Sequence, residues 1–280
     1  MANNLSSEQK NTAISMLCEC ASIRAIERIT GIHRDTIMRL GVRVGQACEK
    51  ICDEKMRNLE CKRIEVDEIW GFIGKKNKHL TAADSTKERG DIWTFIALDA
   101  DTKLIPTWQV GARDGYHTQM FINDLSNRLK DRTQITSDGL QTYVEAVKGA
   151  FGDDVDFGQL VKTYSVTNLG NFKEAASRYS PAEVVRCKKS TVIGSPKWSR
   201  ITTSHVEKQN HTLRMHCRRL SRLTNAFSKK LENFKAAVAL NFAYYNFYKT
   251  HITVQMTPAQ AAGVESERWT VLELVERCGE

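Results

Sequence analysis

At residue 61 the chain changes its period, and that change restricts the folds open to it. Up to about residue 60 the apolar residues recur at helical spacing, as Ala13, Ile14, Leu17 and Cys18 do in SEQKNTAISMLCEC. From CKRIEVDEIWGFIG (61–74) onward they alternate, with Ile64 and Val66 on one face, the period of a strand. Further strands are expected in DIWTFIALD and KLIPTWQVG, paired as a hairpin (92–98 and 104–110), in RTQITSDG and in GQLVKTY. Helices are expected at 116–130 and over LQTYVEAVKGAF. Residues 165–203 read as irregular, with room for a hairpin in EVVRCKKSTVIG, and helix resumes from 204 to about 250 with a break near Thr224-Asn225. The order predicts an α/β fold: a mixed five-stranded sheet flanked by helices, preceded by an all-α unit. The expected divisions are 1–60, 61–250 and a helical tail at 251–280.

Within the first unit, Ser22 is a natural N-cap and Thr30-Gly31-Ile32 a short turn in which Gly31 can take positive φ. A second helix from about His33 turns Ile37 and Leu40 inward and Arg34, Thr36, Arg39 and Arg43 outward. Two short helices about a Gly-containing turn form a helix-turn-helix over 22–43, a unit that reads DNA bases from its second helix.

Three acids occupy costly or exposed places. Asp67 interrupts an apolar strand, which is unfavourable unless the charge is paired or bound to metal. Asp138 closes the fourth strand at the Gly139 turn, and Glu207 begins the helix after residue 203. Strands one and four can be neighbours after the crossover, with that helix across their ends, so the three acids can meet. Such a cluster repels itself without cations, and its oxygen ligands suit two magnesium or manganese ions, the arrangement used for phosphoryl transfer.

Charge supports a polyanionic partner. The net charge is +8, and residues 205–235 hold eight Lys/Arg against two Glu, a net +6. In that segment Lys208, Arg214, Arg218, Arg219 and Arg222 are candidates to hold phosphates, with Arg214, Arg218 and Arg222 at i, i+4 and i+8 on one helical face. Val206, Leu213, Leu220, Phe227 and Phe234 recur every seven residues as an inward stripe or a dimer seam. The eight cysteines include no C-x-x-C pair, which argues against a zinc site, and their scatter suits reduced thiols. No apolar run is long enough to span a membrane, and the N-terminus has no signal core.

The blocks VDEIWGFIGKK, ALDADTKLIPTWQVGARD, TSDGLQTY and SHVEKQNHTLRMHCRRLSRLTNAFSKKLENF, with TPAQAAG near the end, resemble DDE transposases of the insertion sequence 1 type across about residues 22–262. The resemblance implies a ribonuclease H-like catalytic fold and cut-and-join chemistry on the ends of a mobile element. It carries over Asp67, Asp138 and Glu207 as the metal-holding triad and Arg214 as the basic residue that follows the Glu. Well-known members begin with a Cys-rich zinc-finger stretch, from which this sequence departs. The implied partners are double-stranded DNA, as terminal inverted repeats and target, and further copies of the chain in a homodimer or larger assembly. The implied setting is the cytoplasm of a prokaryote, at the nucleoid. A catalytically inactive DNA-binding regulator and a nuclease of the same fold are the other readings.

Several nearby residues are set aside at this level. His205 and His211 read as polar or DNA-facing. Glu65 and Glu68 are expected on the face opposite Asp67, which makes Glu68 a poor substitute for it. Trp70, Trp93 and Trp108 read as core. Trp198, on an irregular segment, is a candidate to stack on an unpaired base.

Overall fold

A computed structural model of the chain describes residues 5–84, 89–164 and 184–279. Three helices come first: α1 (Ser7–Cys18), α2 (Ile23–Thr30) and α3 (Arg34–Lys55). Each start has a local cause. Ser6 and Gln9 form a reciprocal capping box on α1, and Ser22 Oγ accepts the Ala25 N–H (3.1 Å) at the start of α2. Gly31, at φ +72°, ends α2 in the left-handed conformation and frees the chain to turn into α3. On α3, Ile37, Leu40, Val44 and Cys48 are fully buried, while Arg34, Arg39 and Arg43 are exposed and Thr36 is half-buried.

The strands are β1 (Arg63–Ile73), β2 (Gly90–Asp99), β3 (Trp108–Gly111), β4 (Gln134–Ser137), β5 (Asp156–Tyr164) and β6 (Val184–Ile193). Helices α4 (Gly115–Ser126) and α5 (Thr142–Phe151) fall between β3 and β4 and between β4 and β5. The sheet order is β3-β2-β1-β4-β5-β6. Neighbours β1/β2, β2/β3 and β5/β6 are antiparallel, and β1/β4 and β4/β5 are parallel. The protein is thus a mixed α/β fold with a six-stranded sheet flanked by helices, compatible with a ribonuclease H-like arrangement.

Two expectations are corrected here. The sheet has six strands, not five, because residues 184–193 form one strand instead of a hairpin. They pair along the edge of β5 from Tyr164↔Val184 to Phe157↔Ile193, and a single edge strand whose residues are mostly exposed gives little apolar alternation to read. The third strand is also shorter than expected: only Trp108–Gly111 is ladder-paired, although Asp99 N–H still reaches the Leu104 carbonyl (2.8 Å). Residues 165–183 lie outside the described residues.

The expected long helix from 204 is two helices, α6 (Ser204–His216) and α7 (Leu231–Ala243), the latter running into a π turn at Tyr244–Tyr248. Cys217 is extended and ends α6, a 3-10 turn follows at Arg218–Leu220, and Leu223 takes φ +57°. Short helices α8 (Pro258–Ala261) and α9 (Val271–Arg277) complete the chain.

Alternation along the strands splits the core in two. Ile64 and Val66 of β1, with Phe95 and Ala97 of β2, pack with α4 and α5 in a cluster that extends into α1, α2 and α3. Ile69 and Ile73, with Ile96 and Leu98, face α6 and α7 through Val206, Leu213, Phe234 and Val238. Helix α7 is shared: Leu240 and Ala243 belong to the first cluster. Gly45 makes the junction close, since a Cβ there would lie 2.1 Å from the Ala236 carbonyl oxygen. Among the described residues no helix is long and apolar enough to cross a membrane.

Candidate active site

β1 pairs with β2 from Ile64 to Ile73 but with β4 only from Arg63 to Glu65. β4 stops at Ser137, so β1 runs on past it and leaves a notch between the two parallel strands. Strand order reverses at this point, and crevices at the carboxyl ends of parallel strands at such a reversal are where open α/β sheets bind ligands. Asp67 and Glu68 of β1 and Asp138, one residue beyond β4, meet in the notch. One carboxylate oxygen from each lies within 4.8 Å of the other two.

The notch explains why Glu68 joins Asp67. Alternation sends Glu68 to the α5 face, where it accepts from Tyr143 Oη (3.1 Å) and Arg113 Nε (2.6 Å). Asp67 points to the α6 face, where Oδ2 accepts from Asn210 Nδ2 (2.8 Å) and Oδ1 from the Glu68 N–H (2.8 Å). Beyond the end of β4 no neighbouring strand separates the two faces, so both carboxylates reach the same space. Glu68 thus lies on the expected face, opposite Asp67, and only the expectation that this makes it a poor substitute is corrected.

Glu65 needs the opposite correction. It is two residues before Asp67, and positions i and i+2 of a strand share a face. It is fully buried under the start of α6, where one carboxylate oxygen accepts the His205 (2.8 Å) and Val206 (3.1 Å) N–H groups. Helix starts leave such N–H groups unpaired and carry partial positive charge, and Thr203, at the N-cap, makes no side-chain capping bond. Glu65 therefore serves as the cap from another element. With the Asn210–Asp67 bond and Arg214 Nη2 donating to the Trp70 carbonyl (3.1 Å), it lays α6 along β1 in the same direction.

Glu207 is not part of the three-way cluster. It is held at the first turn of α6 by Thr203 Oγ1 (2.6 Å) and by an ion pair with Lys162 of β5. Its charge still reaches Asp67. Burial, then repulsion from Glu68, Asp138 and Glu207, push the Asp67 carboxyl up to about 7, against the lowering effect of the Glu68 N–H. Burial and the Asp138 charge raise Glu68 too. Asp138 is fixed by its own turn: Oδ1 accepts the Leu140 N–H (2.9 Å), and its carbonyl accepts from Gln159 Nε2 (2.9 Å).

The residues fit a hard divalent cation. Three carboxylates share one small volume, and their repulsion adds to burial in raising Asp67. Asn210 Oδ1, on the side chain that holds Asp67, is buried with no protein partner among the described residues. An all-oxygen set of this kind suits magnesium or manganese.

The basic residues are divided by the break after α6. Lys208, Arg218 and Arg222 are exposed. Arg214 is turned inward to the Leu220 (3.1 Å) and Trp70 carbonyls, and burial with the nearby Arg222 charge lowers it to about 10. Arg219 donates to the Ala226 carbonyl (3.2 Å), and burial lowers it as well. The expectation that Arg214, Arg218 and Arg222 line one helical face is corrected: α6 ends at His216, two residues before Arg218. Trp198 is 57% exposed on a 3-10 turn, Trp198–Arg200. Trp93 and Trp108 pack against the core clusters, whereas Trp70 lies in a surface groove.

No protein-family model matches the sequence, and no curated protein matches it. Among solved structures, the cryo-EM structure of a piggyBac transposase synaptic complex with hairpin DNA superposes on 98% of this chain and 72% of that one, at 13% identity and a TM-score of 0.47. At that identity and TM-score the likeness is loose.

Proposed function

We propose that the chain is a DDE-type transposase, similar to those of the insertion sequence 1 type, which cuts DNA at the ends of its mobile element and joins them to target DNA. The observation that carries the reading is the meeting of Asp67, Glu68 and Asp138 within 4.8 Å at the open end of the parallel strands, with Glu207 close enough to raise Asp67. Asp67, Asp138 and Glu207 are the residues proposed to hold two magnesium or manganese ions, with Glu68 beside them. When bound, such ions supply Lewis-acid stabilisation of the charge that builds on the phosphate oxygens during transfer.

The chain's own groups prepare that site. Asp67, raised to about 7 by burial and its carboxylate neighbours, would be held in its charged form by a bound cation. Asn210 fixes the direction of its carboxylate, and Glu65 fixes the start of α6 and with it Glu207. Lys162 supplies a counter-charge to Glu207. Lys208, Arg218 and Arg222 are proposed to position the DNA backbone, and Arg34, Thr36, Arg39 and Arg43 of residues 1–60 to recognise the terminal repeats, in a homodimer or larger assembly.

The test is incubation of the full chain with DNA carrying the element's own ends, with and without magnesium. The reading expects metal-dependent cleavage followed by joining. Cleavage without joining would mark a nuclease, and binding without cleavage a regulator.

A further inference from the structure

Beside the acids, along the open edge of β1, lies a groove of about 720 Å³. Its floor is aromatic: Phe72 is 5.7 Å from Trp70 and 4.8 Å from Phe227, ring centre to ring centre. Its rim is cationic. Lys76 Nζ stands 5.3 Å over the Trp70 ring and 5.6 Å over the Phe72 ring, a cation that a base seated on those rings would displace towards its phosphate, and Arg222 lies exposed on the 217–230 loop. Among the described residues, none that lines it is acidic. The loop is not loosely placed: Arg214 and Arg219 hold its carbonyls, and the Gly74 N–H donates to the Ser228 carbonyl (2.8 Å).

Its place relative to the acids is set by two elements. Trp70 is three residues past Asp67, about 10 Å along a strand at about 3.3 Å per residue. Arg214 is seven residues past Glu207, about 10 Å along a helix at about 1.5 Å per residue. Both routes lead the same way, because α6 is laid along β1. Ten ångströms is about three nucleotide steps of a DNA strand at about 3.4 Å each.

We propose that this groove binds an unpaired nucleotide of the DNA strand being processed, its base against Trp70, Phe72 and Phe227 and its phosphates towards Lys76 and Arg222. The inference deepens the proposed function and rests on it for the identity of the strand. Aromatic faces take any base, and flanking cations track the backbone, so the site is selective for unpaired over paired DNA and indifferent to sequence. Trp198, on its separate turn, is not required for this role.

The test uses the full chain carrying Asp67→Asn, with a chelator present, so that no strand is cut. Affinity is measured for a short oligo-dT strand and for a fully paired duplex of random sequence. Trp70→Leu and Phe227→Leu keep apolar bulk but remove the ring face. Each is expected to weaken oligo-dT binding about ten-fold while changing duplex binding little. Arg222→Ala, on the exposed loop, should weaken oligo-dT binding and reduce its salt dependence without risk to the fold. For Trp70→Leu and Phe227→Leu, equal loss on both DNAs or no loss on either would overturn the proposal, as would displacement of oligo-dT by polyglutamate at equal charge. Since no cleavage is scored, a chain that binds oligo-dT in this pattern but never cuts DNA would sink the catalytic reading and leave the groove standing.

Discussion

At the scale of single residues, the Asp67 carboxyl is the most informative group in the site. Held at about 7 by burial and three carboxylate neighbours, it binds a proton in the metal-free folded chain that an unfolded chain releases near pH 4. The folded state therefore holds more protons than the unfolded between about pH 4 and 7, and Asp67 subtracts stability as pH rises through that window. Its contribution is at most about 4 kcal/mol, at about 1.4 kcal/mol per unit, and solvent at the notch reduces it. Asp67→Asn should melt higher than the wild type at pH 8 in chelator, with the advantage shrinking as pH falls towards 4. Magnesium should stabilise the wild type more at pH 8 than at pH 6. An advantage that does not change with pH would mean that Asp67 carries no such shift. Placing an acid inside an apolar strand is itself legible in the sequence, since the pattern breaks at Asp67. The roles of Glu65 and Glu68 are not, because both depend on where a different strand stops and where a distant helix starts.

At the scale of elements, the start of α6 depends on a carboxylate from β1. Glu65→Gln keeps the size of the side chain but weakens a charged, buried acceptor of two N–H groups. It should cost about 1–3 kcal/mol in a denaturant melt and lower magnesium affinity through the displaced Glu207. Stability and affinity both at wild-type values would show that α6 does not need this cap. The break after α6 changes the expected phosphate contacts. Arg214 and Arg219 are turned to carbonyls of the protein, which leaves Lys208, Arg218 and Arg222 facing outward. Replacing those three with Ala should flatten the slope of log K against log salt by roughly 0.9 per lost contact on duplex DNA. An unchanged slope, in a chain whose circular dichroism is intact, would assign them to solvent. The sequence hid this break because its seven-residue stripe is genuine in part. Val206, Leu213, Leu220 and Phe234 are all buried in one cluster, although α6 and α7 share no axis and Phe227 lies on the loop between them.

At the scale of the whole molecule, one buried cluster joins the first three helices to the sheet through α7. Gly45 is its closest point, and Gly45→Ala would press a methyl group onto the Ala236 backbone. Overpacking of that kind costs about 1–3 kcal/mol. It should lower the melting temperature of the chain as one transition; two separate transitions would show that the helices and the sheet unfold independently. The order of helices and strands and the adjacency of β1 and β4 could be inferred from period and crossover rules. The sixth strand could not, because an exposed edge strand buries too little to leave a pattern. The central question is whether the acids in the notch do chemistry on DNA. The direct measurement is magnesium-dependent cutting of end DNA by Asp67→Ala, Asp138→Ala and Glu207→Ala, with DNA binding measured in parallel. Each variant should bind DNA nearly as the wild type does and cut none; full magnesium-dependent cutting by any one of them would remove that residue from the chemistry.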